Sequence, residues 1–458
     1  MREDVYLKLN VNKAKLFLSP LYPTLMFIPN MPKSRDSSLK QSLSLKLTKE
    51  GGEIIEKMYE PMKVGQMIEF FSKKYSDSKE RVKENIFNFL NQLRNYGLST
   101  ISYEKKDAII DDKLEKLGSW NYVVPRGMVM EITSKCNFRC KHCYNKSGEG
   151  EHLTDIDKED AFSLIDQMFA LGTRTLEITG GEPSIHPYFN EIIDKALNKE
   201  FELIGILSNG SNFTEKTFDI LARNKDKAVA QIDLHGSTPE YVNWFTGHKN
   251  AYELALNTIK KLVNIGIPVR LACSVTPGNV NQMEEVANIA YKIGVTAVAF
   301  GPVAPMGRAK DNNDLILSYH EKASNVFVST LGKLINKFGT RFIAVLDETT
   351  KNDINCGIGS TGLVVSSKLD VRLCQMGDII IGNLKDYKNN LKDFLINKTK
   401  LLENISKTPA PREDICGDCE DLWFCSRCIS RGLMKAREKG GNCRWYQKTK
   451  EHLSLLNL

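Results

Sequence analysis

The 458-residue sequence contains no long apolar run and no strong excess of either charge. A membrane-spanning helix needs about 18 or more consecutive apolar residues, and we find no such run. The chain begins Met1-Arg2-Glu3-Asp4, which lacks the basic and then apolar pattern of a secretory signal. These features predict a cytoplasmic protein that has no membrane partner.

The charge balance is mild and is spread along the chain. There are 63 Lys and Arg residues against 56 Asp and Glu residues, a formal net charge of +7. Nucleic-acid-binding proteins usually concentrate basic residues in a patch or stripe, so we expect no nucleic-acid partner. An acidic peptide partner is as compatible with this charge. The length favours two or three domains.

The eleven cysteines are strongly clustered. Three of them form a CxxxCxxC motif in the stretch CNFRCKHC (136–143), seven lie between Cys356 and Cys443, and Cys273 stands alone. Because no export signal is present, clustering favours metal binding over disulfides. Reduced cysteines of an ordinary core would not recur at these spacings.

Residues 1–103 predict a small α+β domain. Short alternating runs indicate strands near residues 5–9, 24–28 and 43–47. Thr48 is a suitable N-cap for a first helix. A later helix carries four apolar residues on one face, namely Val82, Ile86, Leu90 and Leu93. A charged linker is expected over residues 104–121.

The next segment, 122–310, alternates between strand and helix patterns. Six strands are predicted, at residues 128–133, 173–179, 202–208, 228–234, 268–275 and 295–301. This alternation indicates an α/β fold with a partial (βα)6 TIM-type barrel, whose ligands bind at the carboxyl ends of the strands. A bridging segment (311–345) and an irregular, cysteine-rich region (346–458) follow, and the latter is expected to need metal for its stability.

Three thiolates suit a metal cluster that keeps one position open, because a 4Fe–4S cluster is usually held by four cysteines. The CxxxCxxC motif and the run Gly180-Gly181-Glu182-Pro183 together resemble the radical S-adenosylmethionine (SAM) superfamily, over about residues 122–310. The resemblance implies that Cys136, Cys140 and Cys143 hold a catalytic 4Fe–4S cluster whose open iron binds SAM. Reductive cleavage of SAM would then give a 5′-deoxyadenosyl radical.

The same resemblance assigns SAM contacts at the ends of the predicted strands. Gly180, Gly181 and Glu182 would bind the methionine moiety. The ribose side is assigned to Ser208, Asn209, Asp233 and Arg270. Related enzymes often carry serine at the position of Asp233 and aspartate at the position of His235, so either assignment at this strand stays open. His142 is expected near the adenine rather than as a metal ligand.

The C-terminal cysteines resemble a SPASM domain, which binds two auxiliary 4Fe–4S clusters. The resemblance implies an outer cluster on Cys416, Cys419, Cys425 and Cys443, and an inner cluster on Cys356, Cys374 and Cys428. The pattern departs from the commonest one in its short CxxC pair and in Leu369, which replaces a usual glycine. A zinc ribbon is the alternative, but seven cysteines do not divide into fours.

The inner cluster has only three cysteines, so one of its irons would also be open. The hypothesis is that a substrate thiolate binds there. Water, a non-cysteine side chain or Cys273 are the alternatives for this fourth ligand.

Residues 1–103 resemble the PqqD-like RiPP recognition element, a winged-helix-like domain that binds leader peptides of ribosomally made precursors by adding a strand to a sheet edge. The resemblance rests on the order of strands and helices around LTKEGGEIIEKMYEPMKVGQMIEFFSKKY. A structural cap without leader binding is the alternative.

The three modules together resemble sactipeptide and ranthipeptide synthases, peptide maturases that join a cysteine sulfur to a carbon. This implies a radical SAM oxidoreductase with a precursor peptide as substrate and an electron donor such as flavodoxin or ferredoxin. Carbon–carbon crosslinking, epimerisation or decarboxylation of a peptide is the alternative reaction. A peptide-binding or redox-sensing iron–sulfur protein is the alternative of another class. Asp347 and Glu348 are guesses for a general base.

Overall fold

A computed structural model describes residues 3–9, 11–29, 43–60, 62–95, 97–108, 113–345 and 355–456. Asp347 and Glu348 lie outside these residues. The chain divides into two compact units, Met1–Val124 and Pro125–Leu458. Within the described ranges, no helix has the length and apolar character needed to cross a membrane.

The first unit combines two small sheets with three helices. Its elements are β1 (Tyr6–Leu9), β2 (Val11–Leu18), β3 (Thr24–Pro29), β4 (Leu43–Lys46), α1 (Lys49–Met58), α2 (Val64–Tyr75), α3 (Lys79–Asn95), β5 (Ser99–Ser102) and β6 (Glu115–Gly118). One sheet has the strand order β4-β3-β2-β6, and β1 pairs with β5 in the other. The unit is therefore an α+β domain, as the sequence predicts.

Local signals in the sequence explain most of this unit. The Thr48 side chain accepts a hydrogen bond from the backbone N–H of Gly51 and caps α1, as predicted. The four apolar residues predicted on one face of α3 are its buried residues. The boundary differs from the expected one, because the segment 104–121 is not a free linker. It contributes β6, which pairs in parallel with β2, and the unit extends to Val124.

The second unit begins with the predicted alternation of strands and helices. Its first elements are β7 (Gly127–Thr133), α4 (Lys158–Leu171), β8 (Thr175–Gly180), α5 (Phe189–Leu197), β9 (Leu203–Ser208), α6 (Glu215–Arg223), β10 (Ala228–Asp233), α7 (Pro239–Thr246), α8 (Ala251–Asn264), β11 (Val269–Val275), α9 (Met283–Ile293), β12 (Ala297–Pro302), α10 (Glu321–Phe338) and β13 (Ile343–Val345). Strands β7 to β12 are neighbours in sequence order and all run parallel. The partial TIM-type barrel is confirmed.

The C-terminal region is more regular than expected. It contains β14 (Gly362–Val365), β15 (Asp370–Arg372), β16 (Ile380–Asn383), α11 (Leu391–Lys407), α12 (Glu413–Cys416), α13 (Leu422–Cys425), α14 (Ile429–Glu438) and α15 (Arg444–Leu453). Strand β14 pairs in parallel with β7, and β15 and β16 follow it in the same sheet. The barrel sheet therefore continues directly into the cysteine-rich region.

The register of the sheet places polar side chains together on one of its faces. Gln231 of β10 lies opposite Arg270 of β11, and Asp233 lies opposite Ala272. Because paired residues of neighbouring strands project to the same side, these polar residues share a face. The alternate residues Ile232 and Leu271 are fully buried on the other face, as helix-covered strands require.

Candidate active site at the carboxyl ends of the barrel strands

The loop that carries the first three cysteines follows β7 directly and is held by backbone contacts on two sides. The N–H groups of Arg139 and Lys141 each donate to a carbonyl at the end of α7, both at 2.9 Å. On the other side, Arg308 donates from its backbone N–H to the Cys143 carbonyl and from its guanidinium to the Cys140 carbonyl. The positions of the cysteines are thus set by neighbouring elements of the barrel.

The three thiols lie close enough to influence one another's ionisation. Burial, with smaller contributions from the charges of Glu182 and Cys143, raises the pKa of Cys136 to about 11. Burial also raises the pKa of Cys140, with smaller contributions from the charges of Cys136 and Cys143. A bound cationic centre would relieve this mutual repulsion, because metal binding favours the thiolate.

The donor set is of the type that an iron–sulfur cluster uses. Cys136, Cys140 and Cys143 follow one another on a single loop, and a 4Fe–4S cluster is bound by cysteine thiolates, each on a different iron. The chemistry of these three residues therefore fits the expected cluster.

The two glycines at the end of β8 pack directly on the start of the cysteine loop. A side chain on Gly181 would overlap the carbonyl group of Lys135, and one on Gly180 would overlap the carbonyl oxygen of Thr133. The Gly181 N–H donates to Thr133 at 2.7 Å, and the Glu182 N–H donates to Lys135 at 2.8 Å. Glycine is required here for close backbone approach, in addition to any contact with SAM.

The Glu182 carboxylate is buried and already accepts four hydrogen bonds. Its Oε1 accepts from the backbone N–H and hydroxyl of Ser184 and from the hydroxyl of Ser208. Its Oε2 accepts from the Asn209 N–H at 2.7 Å. Burial raises the pKa of Glu182, and the hydrogen bonds offset part of that effect. Three of the residues predicted to contact SAM are thus brought together through this carboxylate.

Asp233 and Arg270 lie on the shared polar face of β10 and β11, joined through Gln231. The Arg270 Nε donates to Gln231 at 2.8 Å, and the Gln231 amide lies 3.5 Å from Asp233. Burial, together with the charge of Glu182, raises the pKa of Asp233 to about 7. Burial also raises the pKa of Glu177, with Arg270 acting in the opposite direction. Both acids therefore face a poorly solvated interior.

Sequence reasoning missed Gln231 and Glu177 on this interior face. Both alternate with apolar residues inside predicted strands, at Ala230 to Ile232 and at Leu176 to Ile178. Strand alternation places such residues opposite the helix-covered face. That signal could have found them without the structure.

His142 belongs to an aromatic group rather than to the set of thiols. Its ring stacks on Phe245 at a centroid distance of 4.6 Å and meets the edge of His235 at the same distance. Burial lowers the pKa of His142 well below its usual value, so the ring is neutral. Its Nδ1 atom is buried and has no hydrogen-bond partner among the described residues.

The C-terminal cysteines separate into a group of four and a group of three. The group of four lines one small cavity beside Trp445, and its members are Cys416, Cys419, Cys425 and Cys443. In the group of three, burial raises the pKa of Cys356 and Cys374, and the charge of Cys428 raises both further. The structure therefore brings together the two sets that the sequence pattern separates.

Cys273 joins neither group. It lies on β11, and its thiol is 4.0 Å from the carbonyl oxygen of Ser274. Burial raises its pKa, and the charge of Asp233 adds to this effect. Among the described residues, its electrostatic partners are those of the barrel interior rather than the C-terminal cysteines.

Tyr144 lies where the three cysteine groups converge. Its side chain is partly buried. Burial raises the pKa of the phenol, which also experiences the charges of Cys143 and Cys374. It also packs in an apolar cluster that contains Phe424 and Cys425. One aromatic side chain therefore connects the first cysteine loop with both C-terminal groups.

A buried ion pair stands beside Tyr144. Arg372 of β15 pairs with Glu131 of β7, and the Asn145 side-chain amide donates to Glu131 at 3.0 Å. Arg372 also donates to the carbonyl oxygen of Gly377 at 3.1 Å. These contacts fix the hairpin that carries Cys374 against the first barrel strand.

Known proteins are similar to this chain in sequence and in fold. Residues 130–290 match the Radical SAM superfamily. Over 357 residues the chain is 28% identical to the antilisterial bacteriocin subtilosin biosynthesis protein AlbA of Bacillus subtilis, which covers 75% of this chain and 77% of that protein. It is 23% identical to the sporulation killing factor maturation protein SkfB of the same organism over 61% of this chain and 67% of that protein.

The crystal structure of Streptococcus suis SuiB bound to S-adenosylmethionine superposes with a TM-score of 0.58 at 12% identity, over 95% of this chain and 96% of that one. This likeness extends the shared fold beyond residues 130–290. The matched residues 130–290 form a radical SAM domain, which contains the cysteine loop and the glycine-rich end of β8.

Proposed function

We propose that this protein is a radical SAM enzyme that matures a ribosomally made precursor peptide by forming cysteine sulfur-to-carbon thioether crosslinks. Similarity to AlbA and SkfB, whose names describe bacteriocin biosynthesis and killing-factor maturation, supports action on a peptide. The choice of a thioether rests on the cysteine groups. Each thioether breaks one S–H and one C–H bond and forms one C–S bond, so the peptide loses two hydrogens and two electrons. SAM would be the oxidant: it would give methionine and 5′-deoxyadenosine, which takes one of the hydrogens, and the other would leave as a proton.

The residues of the first site would bind and orient the cofactors. Cys136, Cys140 and Cys143 would hold a 4Fe–4S cluster, which with bound SAM supplies a 5′-deoxyadenosyl radical. The end of β8 fixes the floor of this site through its close packing on the cysteine loop. Asp233 and Arg270 would present polar groups towards the ribose from the interior face of the sheet.

The observation that carries the thioether proposal is the division of the seven C-terminal cysteines into four and three. Four cysteines satisfy one 4Fe–4S cluster. The other three, Cys356, Cys374 and Cys428, would leave one iron open on a second cluster. Cys273 lies on β11, where its thiol is next to the Ser274 carbonyl oxygen. A thiolate of the precursor is therefore a suitable fourth ligand.

The first unit would bind the leader segment of the precursor. Strand β4 is at one end of its sheet and pairs with β3 among the described strands. An outer strand of this kind can accept an additional peptide strand. Deleting the whole unit, residues 1–124, should weaken the binding of a leader peptide in fluorescence anisotropy. Unchanged affinity would indicate that the unit is a structural cap that does not bind the leader.

The deciding experiment uses a cysteine-rich peptide encoded beside this protein. The peptide is incubated anaerobically with the enzyme, SAM and reduced flavodoxin, and its mass is compared before and after thiol alkylation. We expect two hydrogens lost for each thiol that no longer reacts. Hydrogens lost with all thiols still reactive would mean carbon–carbon bonding, and absence of deoxyadenosine would mean a binding or sensing protein.

A further inference from the structure

A second cavity of about 600 Å³ lies within the larger unit, and the glycine-rich end of β8 is not part of its lining. Four segments line it, at residues 144–146, 305–310, 375–378 and 420–438, and Tyr319 and Arg372 complete its wall. Its volume falls within the range of about 300–1,000 Å³ that is usual for ligand sites. The first two segments follow β7 and β12, so the cavity opens near the carboxyl ends of barrel strands.

Three exposed apolar side chains line this cavity. Tyr319, Met376 and Trp423 are 49%, 40% and 45% exposed and all line it. Beneath them, Met306 and Phe424 are buried and form an apolar floor. Tryptophan, tyrosine and methionine are enriched where proteins bind peptides and other proteins. The lining therefore offers contact area for apolar side chains.

The charged groups of the wall largely neutralise one another. Ion pairs join residues of the lining to each other: Lys310 with Glu438 at 3.0 Å, Lys435 with Glu438 at 2.9 Å and with Asp421 at 3.6 Å, and Arg437 with Asp378. Arg372 is paired with Glu131. An ionic occupant would have to compete with these internal pairs, whereas an uncharged one would not.

The cavity also lies beside all three cysteine groups. Tyr144 directly follows Cys143, and Met376 follows Cys374 by two residues. Phe424 directly precedes Cys425 and packs with it. A peptide that presents a cysteine near the inner group would therefore pass its neighbouring residues along this wall.

We infer that the cavity binds an uncharged, apolar stretch of the precursor peptide next to its reacting cysteine. This inference rests on the proposed peptide-maturing function and specifies its substrate class. It predicts that bulky apolar residues flank the modified cysteine and that acidic or basic residues at those positions weaken binding.

Tyr319 offers the clearest variant for a test, because it lies far in sequence from every cysteine of the proposed clusters. We would place a charge in the wall with Tyr319→Glu and use Tyr291→Glu as the matched control. Tyr291 is also exposed, at 62%, and packs on Phe338 and Phe342 away from the cavity. Iron content is measured for each reconstituted variant, so that loss of a cluster is detected separately.

The probe is a short labelled peptide of glycine and serine that carries one cysteine, one phenylalanine and one leucine. A second peptide carries glutamate in place of the phenylalanine and leucine. We expect the apolar peptide to bind more tightly, and Tyr319→Glu to weaken its binding by about tenfold, the scale of an interface anchor, while Tyr291→Glu leaves it unchanged. Equal binding of the two peptides, or unchanged binding by Tyr319→Glu with full iron content, would overturn the inference.

A photo-crosslinking amino acid at position 319 gives an independent measurement. We expect it to crosslink to residues beside the cysteine of the precursor peptide, as located by mass spectrometry. Tyr319→Glu could instead slow turnover with reduced flavodoxin but not with dithionite, while peptide binding stays unchanged. That result would mean that the cavity binds the electron donor, and the inference would fail. Thioether formation by the unaltered enzyme tests the proposed function separately from these results.

Discussion

Glu182 is the most informative residue to change, because its substitution distinguishes a carboxylate that stabilises the fold from one that binds SAM. Glu182→Gln keeps the size of the side chain but replaces one oxygen with an NH2 group. Each carboxylate oxygen now accepts from a backbone N–H, that of Ser184 on Oε1 and that of Asn209 on Oε2. An amide can accept only one of these, so one buried N–H loses its partner.

The expected cost follows from that unpaired group. Leaving a buried donor unsatisfied costs about 1–3 kcal/mol, and the loss is larger where the acceptor was charged. We therefore expect the larger unit to lose about 3 kcal/mol of stability at pH 8, which corresponds to a melting temperature lower by roughly 5 °C for a domain of this size. Thermal unfolding of the reconstituted enzyme without SAM gives this shift.

Glu177→Gln provides the matched control. Glu177 lies on β8, like the residues just before Glu182, and burial raises its pKa, so an uncharged amide removes an unfavourable buried charge. We expect its melting temperature to be unchanged or higher. SAM affinity is measured for both variants by titration calorimetry. If Glu182→Gln melted like the unaltered enzyme but bound SAM far more weakly, the carboxylate would serve the cofactor and the structural reasoning would be refuted.

Three other perturbations test the site and its surroundings. Replacing all of Cys136, Cys140 and Cys143 with alanine should abolish deoxyadenosine formation but leave the iron of the auxiliary clusters in place. Retained SAM cleavage would contradict the assignment of these cysteines. Burial lowers the pKa of His235 from 6.5 to about 4. As the pH falls, the unfolded chain therefore binds a proton at this histidine before the folded chain does. The free energy of unfolding should drop by up to about 3 kcal/mol between pH 6.5 and pH 4. His235→Asn, which keeps an acceptor for the Ser274 N–H, should flatten the melting temperature between pH 7 and 5, and an unchanged profile would argue against this origin. Arg372→Met should destabilise the larger unit by about 3–5 kcal/mol because it leaves a buried carboxylate unpaired, and a second change, Glu131→Gln, should restore much of the loss in thermal unfolding.

The barrel could be predicted from the sequence because its strands are long and its helices are amphipathic. The predicted strand at 268–275 and the observed β11 (Val269–Val275) differ by one residue. By contrast, β13 to β16 have three or four residues each. Strands of that length carry no readable alternation. They form where an edge of the sheet is available: β13 pairs with β12 and β14 with β7, and β15 and β16 then continue from β14. The pairing partner, rather than the local sequence, determines them.

A departure from the family pattern has a structural counterpart at Leu369. The residue replaces a usual glycine, and its φ of 68° lies in the left-handed region that favours glycine. Its N–H donates to Ser366 at 2.9 Å, which closes the turn between β14 and β15. The side chain is buried, so apolar burial offsets the backbone strain, which is on the order of 1–3 kcal/mol. The turn is kept without the glycine.

Only part of the candidate site could be predicted from the sequence. Sequence reasoning located the residues that converge, but it assigned Glu182, Ser208 and Asn209 each to SAM. In the structure these three bind one another. A motif indicates which residue types meet at a strand end, whereas the division between internal bonds and ligand contacts depends on distances set by the whole barrel.

The cysteine-rich region shows why metal is expected to be part of its fold. Helices α12 and α13 have four residues each and end at Cys416 and Cys425. Cys428 and Cys443 are the N-cap residues of α14 and α15. Helices this short are not stable alone in water, and every one of the four has a cysteine at one end. The proposed clusters would tie these helix ends together, so metal binding and folding of this region should be coupled.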